Sequence, residues 1–393
     1  MTKPESFDVV IVGARCAGAA TAMLLARHGT RVLLLDRESP ERDALSTHAL
    51  MRTAVVQLER WNLLDQVVAA GTPAVRAATF HYGDEAIRVD IGPRNGVDAL
   101  YAPRRTLLDP ILVEAAWSAG ADVRYGKHVR ELLRDDSGRV TGVVVGDRAI
   151  RADLVIGADG ISSTIARLVA APTREVGRHA SLTVYGHWPG LEIDGYHWYY
   201  RDGVAVGAIP TNDGLTCVFV AARSTRYAAE MRHDLRAGYH QLLAAGAPAL
   251  ADAIAPLQPV ALRPFPGRAA HARTPWGPGW ALVGDAGLFR DPITAHGISD
   301  ALRDAGLLAD AVIAGGSLAG YESTRDELSR EILEATDEIA SFDWDYPRLQ
   351  QLHRRFSRAI NRECDHLSGA PARGETSRDS RRRSRAADRI LTA

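Results

Sequence analysis

Apolar and polar positions follow two rhythms along this chain. Between Asp8 and Arg37 an apolar run, Val9 to Val12, opens into a turn at Gly13; a small-residue helix then stops at Gly29, and a second run, Val32 to Leu35, ends on Asp36 and Arg37. That order predicts a βαβ unit. Three-residue steps at Val55, Leu58, Trp61 and Leu64 predict a helix after a polar loop, and Leu108, Leu112, Ala115 and Ala119 share the face of another. Short strands are expected at 77–83 and 87–91, and a β-meander over 123–125, 129–133 and 140–145 with a hairpin turn at Asp135 to Gly138. The meander leads into a buried strand, 152–156, an acid-bearing turn at Asp159 and Gly160, and a helix capped by Ser162 or Ser163.

From 172 to 270 the texture changes. Strand-like runs at 180–185, 197–201, 204–209 and 215–222 are separated by Pro189-Gly190, Asp202-Gly203 and Asn212-Asp-Gly214, followed by a helix over about 227–243 and a strand near Ala261. Hairpin-linked strands interrupting an α/β chain predict an inserted antiparallel sheet. Its aromatics, Trp188, Tyr196, Trp198, Tyr199 and Tyr200, suit either the core of that domain or a ligand wall. The α/β texture returns with a strand ending at Gly284-Asp285, a loop holding Pro292, and a helix starting near Gly297; apolar stripes at Leu328, Ile332, Leu333 and Ile339, then Leu349, Leu352, Phe356 and Ile360, predict closing helices. The predicted fold is therefore α/β. Residues 1–75, 101–171 and 271–317 form a discontinuous Rossmann-like domain, 76–100 and 172–270 a substrate domain, 318–370 C-terminal helices and 371–393 an arginine-rich tail.

At 393 residues there is ample core, and a formal net charge of −1 gives no field to recruit nucleic acid. Cys16, Cys217 and Cys364 have neither metal spacing nor an even pairing, which fits a reducing cytoplasm. No apolar run precedes the first strand or reaches the ~18 residues of a membrane span.

The glycine turn carries the first chemistry. Gly13 allows the tight turn and Gly18 the close packing of helix on strand; the helix N-terminus suits a pyrophosphate, and Asp36 suits ribose hydroxyls. Arg15 stands where the fingerprint has its middle glycine, so an ordinary βαβ unit is the competing reading. Arg104 and Arg105 open a helix against its dipole, as an anion-binding pair or as solvated charge. His48 lies in the loop leading away from the ribose, either bonded to backbone or touching a ligand.

Three segments together resemble the FAD-dependent monooxygenases of the p-hydroxybenzoate hydroxylase type: the N-terminal βαβ unit, Gly157-Ala-Asp159-Gly160, and Gly284-Asp285-Ala followed by Pro292 and Gly297. The resemblance spans most of residues 7–315 and stops being informative near 320. It implies that Gly13, Gly18 and Asp36 hold the adenosine and pyrophosphate end of FAD, with Arg105 near the flavin; Arg15, which departs from the family pattern, and Arg37 are expected beside them as further cofactor contacts. It places Asp159 and Gly160 in a turn serving FAD and nicotinamide alike, Gly284 and Asp285 at the ribityl chain, and Pro292 to Gly297 against the ring. Gly287 departs from the histidine many members carry.

The implied activity uses NAD(P)H and O2 to hydroxylate or epoxidise an electron-rich aromatic or polyketide-like small molecule through a flavin C4a-hydroperoxide. His48 and His296 are the candidate catalytic residues, because histidine titrates near neutrality and both lie in loops expected near the flavin; no metal is expected. The alternative is a reductase of the geranylgeranyl reductase type acting on a C=C bond. A halogenase lacks its Trp-x-Trp-x-Ile-Pro pattern here, and a flavin-binding protein without turnover would use the tail to dock an acidic partner. Substrate identity, NADH against NADPH and oligomeric state carry no signature in the sequence.

Overall fold

The computed structural model describes residues 5–39 and 44–369. Its first sheet has the strand order Trp276–Gly277, Trp280–Leu282, Arg148–Gly157, Glu5–Val12, Val32–Leu35, Asp122–Arg124. Its central strands run parallel, as Val9 beside Val32 and Leu154 shows, because the Cys16–Arg27 helix carries the chain across between the first two. Ala19, Ala20 and Ala22 of that helix are fully buried, so the backbone sits close on the sheet. The meander has a different membership from the one expected: Val129–Arg134, Val140–Val145 and Arg148–Gly157 form it, whereas Asp122–Arg124 joins the parallel edge beside Val32–Leu35. That short strand follows directly from the Arg105–Ser118 helix, whose return favours a parallel partner.

The second sheet has seven strands in the order Leu262–Phe265, Ser181–Pro189, Leu215–Arg223, Val204–Pro210, Tyr196–Arg201, Ala77–Tyr82, Glu85–Asp90. Its pairs are antiparallel except one, Tyr196–Arg201 beside Ala77–Tyr82, which is parallel because the two strands come from separate stretches of chain. One face packs on the helices Leu235–Gly246 and Pro248–Ile254 around Trp188, Tyr239 and Leu243. The expected single helix over 227–243 is broken: Tyr227–Glu230 stops, and Asp234 caps a new start by accepting from the Ala237 amide.

The Gly297–Ala314 helix packs on Cys16–Arg27, and the helices Ala319–Ile339 and Tyr346–Ser368 close the molecule. The tail expected at 371–393 lies outside the described residues. Among the described residues no helix is long and apolar enough to cross a membrane.

Candidate active site

The turn after the first strand is built for close approach. Gly13 has φ +110°, and a methyl there would lie 2.3 Å from the Ala158 carbonyl oxygen. At Gly18 it would lie 1.8 Å from the Gly13 oxygen. Arg15, by contrast, has φ −95° and ψ −171°, extended backbone open to any residue, so this turn does not need its middle glycine. The helix that follows has no side-chain cap and no acid in its first turn, which leaves its first amides and positive dipole end for an anion. Asp36 closes the site from the second strand, accepting from the Ala14 amide at 2.7 Å and the Glu38 amide at 2.8 Å, while Arg37 is exposed.

Arg105 makes a two-pronged pair with Asp109, 2.8 Å at its shortest, and Cys16 donates to the same carboxylate at 3.2 Å. Arg105 also interacts electrostatically with Asp285. Asp159 caps the Thr164–Leu168 helix through Ser163 Oγ at 2.5 Å and the Thr164 amide at 2.6 Å, and Ser163, of the two expected serines, is the helix N-cap. Gly160 follows in the turn. Gly284 and Asp285 begin a single helical turn after Trp280–Leu282. Gly287 has a packing reason to lack a side chain: a methyl there would sit 3.1 Å from Nη1 of the buried Arg325.

Burial, reinforced by the Asp300 carboxylate, pushes the Asp285 carboxyl from 3.8 up to about 7. The folded chain therefore keeps a proton that the unfolded chain releases, so Asp285 makes stability fall as pH rises from about 4 to about 7. Asp285→Asn is expected to flatten the fall of the apoprotein's thermal midpoint across this window, and scanning calorimetry at several pH values reads the slope; parallel slopes for the two proteins would remove Asp285 as its source.

Pro292 opens a helical turn in the loop that leads to the next helix. Asp291 caps that turn through the Ile293 amide and also accepts from the Ser181 amide at 2.7 Å and Ser181 Oγ at 2.6 Å, tying the loop to the second sheet. His296 then leads into Gly297, again with no side-chain cap. Its Nδ1 donates to the Thr294 carbonyl, its ring meets Phe356 edge-on at 4.6 Å, and burial pushes it down to about 4. Since Nδ1 holds the ring proton, Nε2 is left as an acceptor.

His296 lies in the wall of a partly open, mostly apolar cavity. Phe80, Tyr196, Trp198 and Tyr200 form its sheet side, Ile293, Thr294 and His296 its loop side, and His353, Phe356, Ser357 and Ile360 of the last helix its far side, with Met51 completing it. The aromatics of the second sheet thus divide by strand alternation: Tyr196, Trp198 and Tyr200 face the cavity, whereas Trp188 belongs to the core behind the sheet. The contribution of the last helix had no motif to announce it. His353 is buried against Tyr200 at 4.8 Å, bonds Tyr82 through Nδ1 at 2.7 Å, and is pushed down to about 3 by burial.

His48 is placed elsewhere. It is fully buried with φ +67°, and its Nε2 lies 2.9 Å from Nε2 of His187 on the second sheet, with Tyr185 edge-on at 6.3 Å. Burial, then His187, holds it well below the usual imidazole range. Its Nδ1 has no partner among the described residues, and His48 is not among the residues lining the cavity. Behind the 292–297 loop a buried ionic cluster joins helix to helix: Arg303 pairs with Asp300 at 2.8 Å, Asp304 at 2.7 Å and Glu363 at 2.9 Å, and Arg290 pairs with Asp300 at 2.7 Å.

Residues 6–336 match the family described as "FAD binding domain". Digeranylgeranylglycerophospholipid reductase 1 of Methanococcoides burtonii is 27% identical over 84% of this chain and 78% of its own. Among solved structures, the flavin-dependent brominase Bmp2 superposes with a TM-score of 0.79 at 19% identity, covering 93% of this chain and 94% of its own. PqsL, a probable FAD-dependent monooxygenase from Pseudomonas aeruginosa, superposes with a TM-score of 0.75 at 20% identity, covering 91% of this chain and 100% of its own. At those identities both structural likenesses show the fold.

Proposed function

The chain belongs to the FAD-binding domain family and is an FAD-dependent oxidoreductase, and from that premise we propose that it is a monooxygenase. With NAD(P)H and O2 it hydroxylates or epoxidises an electron-rich aromatic or polyketide-like small molecule. The observation that carries this reading is the partly open, aromatic-lined cavity bordered by the 292–297 loop. FAD supplies hydride acceptance and oxygen activation when bound.

The chain's own residues hold and shield. Gly13, Arg15, Gly18, Asp36 and Arg37 take the adenosine and pyrophosphate end, which fits the close strand–helix crossing that Gly13 and Gly18 allow and the uncapped start of the Cys16–Arg27 helix. Arg105, Gly284 and Asp285 take the ribityl side, Asp159 and Gly160 the turn shared with nicotinamide, and Pro292 to Gly297 the ring edge, with the uncapped Gly297–Ala314 helix offering its positive end. His296 accepts a substrate hydroxyl at Nε2, and His48 braces its loop against His187. Residues 1–75, 101–171 and 271–317 carry the cofactor, 76–100 and 172–270 carry substrate, and part of the 318–370 segment completes the cavity. Three buried free thiols, Cys16, Cys217 and Cys364, suit a reducing cytoplasm.

A second reading has support of its own. The reductase that is 27% identical over most of both chains favours reduction of a C=C bond. The test is an NADPH and oxygen balance on the yellow holoenzyme. We expect bleaching by NADPH under nitrogen, recovery in air, and one O2 consumed per product; His296→Ala should keep FAD and lose about tenfold in turnover, the worth of one hydrogen bond. Product formed with NADPH but without oxygen uptake makes the enzyme a reductase, and undiminished turnover in His296→Ala removes that residue's role.

A further inference from the structure

The polarity of the cavity wall discriminates between classes of aromatic compound. Its rings offer flat apolar surface from the second sheet and from Phe356 opposite, which suits a planar ring. Among the described residues, no lysine, arginine, aspartate or glutamate lines it. Its two imidazoles, His296 and His353, are held neutral near pH 7 by burial. The buried guanidiniums of Arg290 and Arg303 do not line the cavity and are paired in charge with Asp300, Asp304 and Glu363, although Nε and Nη1 of Arg290 have no hydrogen-bond partner among the described residues. A carboxylate entering the cavity would lose its water and meet no unmatched cation.

The polar atoms present ask for a neutral oxygen instead. Tyr196 is fully buried in the wall, and its hydroxyl has no partner among the described residues. Such a group is costly to leave idle, and a bound oxygen would satisfy it. On the last helix, His353 Nδ1 faces the Tyr82 hydroxyl at 2.7 Å. The arrangement that leaves no buried O–H idle has Tyr82 donating to Nδ1, so the ring proton sits on Nε2 as His353's remaining donor.

We propose that the cavity selects neutral planar aryl compounds bearing a hydroxyl or carbonyl oxygen, that Tyr196 and His353 are the residues positioning that oxygen, and that aryl carboxylates are rejected. Only the statement that this ligand is the substrate rests on the monooxygenase reading; binding does not.

The experiment is isothermal titration of the FAD-loaded full chain, under nitrogen and without nicotinamide, using 2-naphthol and 2-naphthoate near neutral pH. 2-Naphthol should bind at least about tenfold tighter than 2-naphthoate. Tyr196→Phe should weaken 2-naphthol by about tenfold while thermal stability stays level or rises, because an unpaired buried hydroxyl has gone. His353→Leu should show a similar loss, and His353→Gln, which keeps an N–H donor, should recover most of it. Naphthoate binding as tightly as naphthol, no binding of naphthol, or unchanged naphthol affinity in Tyr196→Phe each overturns the proposal. A failed oxygen balance would instead overturn the monooxygenase reading and leave these affinities standing.

Discussion

Gly18→Ala is expected to yield a protein that no longer binds FAD. The added methyl would lie 1.8 Å from the Gly13 carbonyl oxygen and 3.0 Å from Ala158 Cβ. The first of these atoms is backbone, in the turn that faces the helix N-terminus, so no side chain can swing aside to make room. The Cys16–Arg27 helix must back away from the strand, and its free amides leave the place where a pyrophosphate would sit. FAD titration of the purified variant should show affinity lowered by more than about 100-fold, or nearly 3 kcal/mol, with circular dichroism reporting whether the fold survives. Gly320→Ala is the control, since it sits in a helix with no atom within 4 Å of the new methyl. It should keep the flavin and gain slightly in helix propensity. A yellow Gly18→Ala protein with parental affinity would move the dinucleotide away from this crossing.

The second large effect is on stability. Arg303 is buried completely and holds three carboxylates, Asp300 and Asp304 on its own helix and Glu363 on the last one. Burial already raises Asp304 and Glu363 above their ordinary range, with Arg303 as the main opposing influence on each. Arg303→Met removes that influence and leaves buried acids without a partner, which costs about 3–5 kcal/mol. Urea unfolding followed by circular dichroism should show the loss at neutral pH. The deficit should narrow on acidification, because without the guanidinium these carboxyls hold their protons to higher pH than in the parent and protonation removes the unpaired charge. Adding Glu363→Gln should recover part of it at neutral pH. A loss below about 1 kcal/mol would mean that water or local rearrangement replaces the guanidinium. Because Glu363 belongs to the same helix as His353 and Phe356, this cluster also fixes the far wall of the cavity.

The dinucleotide end was legible because its signals are local. Gly13, Gly18 and Asp36 act through backbone shape and spacing within one βαβ unit, and strand or helix period showed itself within a few turns of chain. Arg15 was an apparent exception only until its backbone angles were known. The strands of 172–270 were legible for the same reason, their turns being written in Pro189-Gly190, Asp202-Gly203 and Asn212 to Gly214.

The sequence by itself therefore determined the α/β class, the inserted strands and the glycine turn of the first βαβ unit. Only the tertiary structure decided the composition of the cavity. Periodicity reports which face of an element is buried, not what buries it, and partners here come from far along the chain. His48 meets His187 139 residues away, and Tyr82 meets His353 271 residues away. The parallel pairing of Ala77–Tyr82 with Tyr196–Arg201 sets Phe80 beside Trp198, and the last helix then brings Phe356 and His353 to the cavity they line. Helical spacing at Leu349, Leu352, Phe356 and Ile360 could announce an apolar stripe, but the same stripe serves a core or a ligand wall equally well. The distinction rests on whether the packed elements leave space between them, and that is a property of several separate segments meeting rather than of any one of them.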